Sequence, residues 1–367
     1  MVSGRLLAVA AVLASSVAAI GAQEAVAPSD ATFVNAQPLE RANPTYPLAA
    51  LRQGQEGWVM LSFVISRAGE VGELMIEDSS GVPVLEKAAM DAVEDWRYSP
   101  AMQSGQPTEQ AMVKTRIEFH LEGQTGASRA FIAKARRAFT AIEERDFAAA
   151  QPVIDELEFG GRKNLYEDAW FWWLKYVHLE ASGSTDTTAM QQSLQRALGY
   201  DVEYLPPDQF VDAAQRLYIS YIKSVDFSSA VETFERLRDA KTAQRSDNYA
   251  RVIEVLTPSY ERIQDVVASD EVISQEGRVG EFDYWVHDLL RRSFSITNVG
   301  GRLDELDVRC RLATKRYSPV PTDSIWTVPE SWGECGVYIK GEPGTTFTFN
   351  EHPAASPPQV SQPAAAP

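Results

Sequence analysis

The chain has 367 residues, 44% of them hydrophobic and 23% charged, which is globular usage and excludes global disorder or a collagen-like fibre. That length predicts two or three domains, each able to bury a core. Lys and Arg number 34 against 51 Asp and Glu, a formal charge of −17; the acidity is spread along the sequence and reads as a solubility feature, and no basic stripe is present, so nucleic acid is excluded as an expected partner.

The N-terminus reads as an export signal over residues 1–22. Met1–Arg5 is short and ends in a basic residue, Leu6–Ile20 is apolar or small throughout, and Ala22 and Ala27 suit the position before a cut. The uncharged stretch Leu6–Ala22 is 17 residues, about 25 Å as a helix and short of a hydrocarbon core of about 30 Å. A cleaved signal and a periplasmic protein are expected. The alternative is an inner-membrane anchor facing the periplasm, the one case in which membrane contact is expected. Residues 23–40 have linker composition, and 353–367 read as a disordered tail.

Residues 41–123 predict an α+β unit, with helices on one face of a small antiparallel sheet. Val59, Leu61, Phe63 and Ile65 alternate on one strand face, Arg67–Glu70 supplies a turn, and Val71–Glu77 returns. After a break at Ser79–Pro83, residues Leu85, Ala88, Ala89, Ala92, Val93 and Trp96 fit an amphipathic helix. In the last strand Val113, Thr115, Ile117, Phe119 and Leu121 form one face, and Lys114, Arg116, Glu118 and His120 the other.

Tyr46-Pro47-x-x-Ala50, Glu56-Gly57-x-Val59, Val64-x-x-x-Gly69-x-Val71, Ser79-Ser80-Gly81, Leu85-x-x-Ala88-Ala89 and Trp96-Arg97-Tyr98-x-Pro100-Ala101 stand in this order. The segment resembles the TonB C-terminal domain family. That resemblance implies a periplasmic domain that binds the "TonB box" of outer-membrane receptors by taking the receptor segment onto a sheet edge at the last strand. Carried onto this sequence, the partner-binding strand is Val113–Leu121. Its outer face bears Lys114, Arg116, Glu118 and His120, which suit either partner binding or protection of an edge. A transducer also needs a membrane anchor and a long arm. Residues 23–40 reach only about 65 Å when fully extended, and about 240 residues follow the segment.

Residues 124–270 read as helical. Glu144-Arg145-Asp146-Phe147 and Asp226-Phe227-Ser228-Ser229-Ala230 resemble the turn and second helix of a tetratricopeptide repeat, with a weaker copy at Asp186. The three Asp residues are spaced by 40 and suit helix N-caps. Such a solenoid presents a concave face. Trp170–Trp173 point several ways around one helix, which suits core packing first and a peptide groove second.

Residues 271–352 predict a β-sandwich-like module of four or more strands, with runs at Ser293–Val299, Leu306–Leu312, Gly336–Lys340 and Thr345–Asn350. Export places Cys310 and Cys335, the two cysteines, in an oxidising compartment and predicts a disulfide pinning this module.

The four histidines, at 120, 178, 287 and 352, show no metal-ligand spacing. The lone S-x-x-K at Ser220 and Lys223, and the paired carboxylates near Glu143 and Asp155, read as helix surface. Neither catalytic residue, cofactor nor metal is expected. The sequence thus predicts a non-enzymatic envelope protein that binds other proteins, linked to TonB-dependent transport. The alternative is a structural or assembly adaptor that works through its helical repeats without touching receptors.

Overall fold

In the computed structural model, residues 33–123, 126–159, 164–199, 204–280, 282–322 and 324–354 are described. The expected export signal and residues 355–367 of the expected tail lie outside them. Within the stretch expected to be a linker, β1 (Phe33–Val34) and β2 (Gln37–Glu40) are strands. They pair with β6 (Ala101–Gln103) and β5 (Arg97–Ser99), because those strands offer free edges beside the N-terminal segment.

The first unit continues with α1 (Leu48–Arg52), β3 (Gly57–Ile65), β4 (Val71–Ser79), α2 (Pro83–Glu94), β7 (Gln106–Thr108) and β8 (Gln110–Phe119). Its main sheet is antiparallel in the order β4-β3-β8. Val59, Leu61, Phe63 and Ile65 of β3 are fully buried together with Leu85, Ala89 and Val93 of α2. The period-2 face of the strand and the period-3.6 face of the helix thus make one core. Trp96 falls just past α2 but stays in that core, its indole N–H donating to the Ala42 carbonyl at 2.9 Å.

Gly57–Ile65 is also buried on its second face, at Trp58, Ser62 and Val64. Trp58 belongs to the core of the helical region. That region comprises α3 (Arg129–Glu143), α4 (Phe147–Phe159), α5 (Leu165–Ala181), α6 (Thr187–Leu198), α7 (Pro207–Lys223), α8 (Phe227–Asp239) and α9 (Tyr249–Ala268). The helices pack as consecutive pairs, α3 with α4, α5 with α6 and α7 with α8, and α9 lies against the last pair. Asp146, Asp186 and Asp226 each accept the backbone N–H three residues on, at 3.0, 2.9 and 3.2 Å, and so cap α4, α6 and α8.

The C-terminal strands are β9 (Ile273–Arg278), β10 (Tyr284–Asp288), β11 (Ser293–Gly300), β12 (Leu303–Cys310), β13 (Ala313–Tyr317), β14 (Ile325–Thr327), β15 (Cys335–Gly341) and β16 (Thr346–His352). They form two four-stranded antiparallel sheets, β10-β15-β12-β13 and β14-β11-β16-β9. Phe294, Ile296, Leu306, Val308, Val337, Ile339, Phe347 and Phe349 share their core. Cys310 and Cys335, directly opposite on β12 and β15, are joined by a disulfide. Four of these strands were expected. β9, β10, β13 and β14 were not, because their alternation is short or polar.

Candidate functional site at the β8 edge

β8 is the outer strand of its sheet, and among the described residues no strand pairs with its far side. It runs from Gln110 to Phe119, not from Val113 to Leu121 as expected. The shift has a local cause at each end. At the start, Met112 has a φ of +57° and the register with β3 slips between Phe63 and Ile65, a bulge that breaks the alternation just before Val113. At the end, Phe119 already faces Gly57, the first residue of β3, so His120 and Leu121 have no ladder to join. His120 is exposed, and the Leu121 N–H goes instead to the Glu56 carboxylate at 2.8 Å.

Ile117 and Phe119 are buried in the core under α2, and Val113 packs against it; Thr115 shares their parity. In the opposite row His120 is exposed, whereas Lys114, Arg116 and Glu118 are each held by partners within the chain. Lys114 lies 3.3 Å from Glu77 of β4 and 3.7 Å from Asp288 of β10. Arg116 pairs with Glu118 at 2.9 Å and stacks over Trp58 at 5.0 Å. Glu118 also accepts from Tyr204 at 3.1 Å. Desolvation works against the Lys114 ammonium, but Glu77 and Asp288 outweigh it and hold its pKa above the ordinary lysine range. Burial pushes the nearby Glu232 carboxyl of α8 up; Lys114 opposes that shift and Asp288 adds to it. The charges of β8 are therefore neutralised within the chain.

The motif residues build the frame that holds this strand. A Cβ on Gly69, at a φ of +80°, would sit 1.9 Å from the Tyr98 carbonyl oxygen, so the turn between β3 and β4 admits only glycine. A Cβ on Gly57 would meet the Ser80 hydroxyl at 2.2 Å, and that hydroxyl accepts from the Trp58 N–H at 3.0 Å. Gly81 follows with a φ of +76°. Pro47 precedes α1, Pro100 separates β5 from β6, and Ala89 is fully buried. Tyr46 meets Phe119 edge-on at 5.6 Å and donates to the Gln55 carbonyl. Burial, then the charge of Glu56, pushes its phenol up to about 12. Glu73, Glu77, Asp288 and Arg309, which surround β8 and its neighbours, escaped the sequence reading. Their one signal is that β3 is apolar on both faces, which demands a cover.

Among the described residues, no group of three or more His, Cys, Asp or Glu is placed to hold a metal ion. His178, His287 and His352 bond Gln151, Glu351 and Ser295 respectively. Ser220 bonds Gln191 on the neighbouring helix. Among the described residues no helix is long and apolar enough to cross a membrane.

An edge-strand α+β module with this motif order has known relatives. Residues 42–121 match the family described as Gram-negative bacterial TonB protein C-terminal. The chain is 37% identical over 87 residues to "Protein tonB2" of Pseudomonas aeruginosa, covering 24% of this chain and 32% of that one. It is 31% identical over 83 residues to "Protein TonB" of Vibrio cholerae, covering 23% and 34%. The match thus spans about a third of the length of these relatives. A solution NMR structure of the Pseudomonas aeruginosa TonB CTD matches at 24% identity over 24% of this chain and 90% of that one, with a TM-score of 0.22.

Proposed function

We propose that the chain is an exported, periplasmic member of the TonB system that binds other proteins and performs no catalysis. An extended segment of an outer-membrane receptor adds as a strand to β8, and this contact serves receptor-linked transport. The observation that carries the reading is that β8, the last strand of the segment that matches the family, stands at a sheet edge with no strand on its far side among the described residues. Backbone N–H and C=O groups there supply affinity whatever the side chains. The paired helices, read as a solenoid of tetratricopeptide type, and the sandwich extend the surface available to protein partners.

Calorimetric titration of the full chain with a TonB-box peptide tests this reading. Saturable binding is expected, and no heat at millimolar peptide contradicts it.

A second reading is favoured by one observation: Lys114, Arg116 and Glu118 are all engaged within the chain. On it, the TonB-like sheet is a packing platform for an envelope adaptor that recruits partners through its helices. Recovery of the same partners from periplasmic extract when β8 binding is abolished supports that reading.

A further inference from the structure

The sheet β10-β15-β12-β13 lies across the outer face of β4-β3-β8 through a seam of charged and polar side chains. Tyr338 donates to Glu77 at 3.1 Å. Arg309 donates to the Glu73 carbonyl at 3.1 Å and pairs with the Glu73 carboxylate at 3.3 Å. Arg316 reaches the same carboxylate at 2.9 Å. Towards the β8 edge of the same face, Thr314 donates to Glu109 at 3.0 Å and Lys114 faces Asp288 at 3.7 Å. Both outer strands of the TonB-like sheet are therefore strapped to the sandwich, and β12 and β13 lie against β8 itself.

A strand added to β8 would sit about 4.8 Å beyond it and project every second side chain to the outer face. On that outer face β12 and β13 already lie against β8, and Asp288 lies 3.7 Å from Lys114. We propose that the C-terminal sandwich is a cover for the β8 edge, an autoinhibitory contact that admits an extended segment when the Glu73 seam parts. The proposal rests on strand addition at β8.

The seam is built to part. The side chains of Glu73, Arg316 and Asp288 are 36%, 46% and 42% exposed, so water can replace their partners. Arg309 is only 5% exposed, but it keeps Asp307 of its own strand at 2.7 Å, so parting leaves no unpaired buried charge.

The test uses the full chain. Glu73→Arg sets a third cation beside Arg309 and Arg316; adding Arg316→Glu restores a pair. In Glu73→Arg the β8 amides should exchange hydrogen about tenfold faster than in wild type, and a TonB-box peptide should bind about fivefold tighter. The double variant should return both towards wild type. Tyr338→Phe, which removes one seam hydrogen bond without changing charge, should raise exchange about threefold. Unchanged exchange in Glu73→Arg and in Tyr338→Phe overturns the cover, as does faster exchange with no gain in peptide affinity while wild type binds. Faster exchange reversed by the double variant, with no chain binding peptide at all, keeps the cover and removes the strand-addition reading instead.

Discussion

Glu56, the residue before β3, accepts the N–H of Leu165, the first residue of α5, at 3.0 Å. Its other oxygen takes the Leu121 N–H at 2.8 Å. One carboxylate thus fixes the start of the central strand, the end of β8 and the positive end of a helix that begins 109 residues away. Only 6% exposed, it has no room for water to replace either donor. Glu56→Ala should lower stability by about 2–4 kcal/mol, because it leaves two buried N–H groups unpaired. Glu56→Gln should cost about 2 kcal/mol, since its amide can accept only one of them without opposing donor to donor. Urea denaturation of both variants reads this directly; midpoints equal to wild type would show that the clasp is dispensable.

Glycine requirements separate along the first unit. Gly69→Ala forces a Cβ to within 1.9 Å of the Tyr98 carbonyl at a φ of +80°, and it should cost more than about 2 kcal/mol. Gly54 has a φ of +59° with nothing within 4 Å, so Gly54→Ala should cost only about 1 kcal/mol. Thermal melts of the two variants should differ in that order.

His178 gives the fold an acid limit. Burial lowers its pKa from the ordinary 6.5, with Asp155 opposing, so the native state binds this proton less readily than the unfolded chain does. The stability it allows is present above about pH 6.5 and is lost as pH falls through the folded value. Between pH 7.5 and 5, wild type should therefore lose more stability than His178→Gln, which cannot take up the proton. Parallel stability curves for the two proteins would remove His178 from the account.

Much of this architecture is written in local patterns. The Asp residues at 146, 186 and 226 cap their helices because a short carboxylate at that point satisfies a free N–H. β8 is visible through the alternation from Val113 to Phe119, yet its ends are not. A bulge at Met112 hides the first three residues, and the apolar Leu121 imitates a strand that its partner no longer supports. Charged residues on β8 look solvent-facing because nothing nearby in sequence reveals their cover. Arg309 and Glu73 meet across 236 residues, which no periodicity encodes. The second face of β3, apolar at Trp58, Met60 and Val64, is the one sign that this sheet is buried on both sides.

The disulfide should stabilise chiefly the sandwich. Cys310 and Cys335 are 25 residues apart, and a loop of that size is worth about 3–4 kcal/mol in the chain-entropy model. Reduction, or Cys310→Ala with Cys335→Ala, should lower the melting of the C-terminal strands while the core under α2 keeps its amide protection. Uniform loss of protection along the whole chain would show instead that the regions unfold as one.

The central claim, that β8 receives a partner strand, is tested most directly by proline in the strand itself. Proline removes one ladder donor, whereas alanine leaves the backbone intact. Lys114→Ala and Arg116→Ala should change affinity for a TonB-box peptide by no more than about 1 kcal/mol. Lys114→Pro and Thr115→Pro are made separately, with circular dichroism to establish folding and calorimetry to read binding. The account predicts that at least one of them folds like wild type and no longer binds the peptide. Two folded proline variants that bind it as wild type does would contradict strand addition at β8.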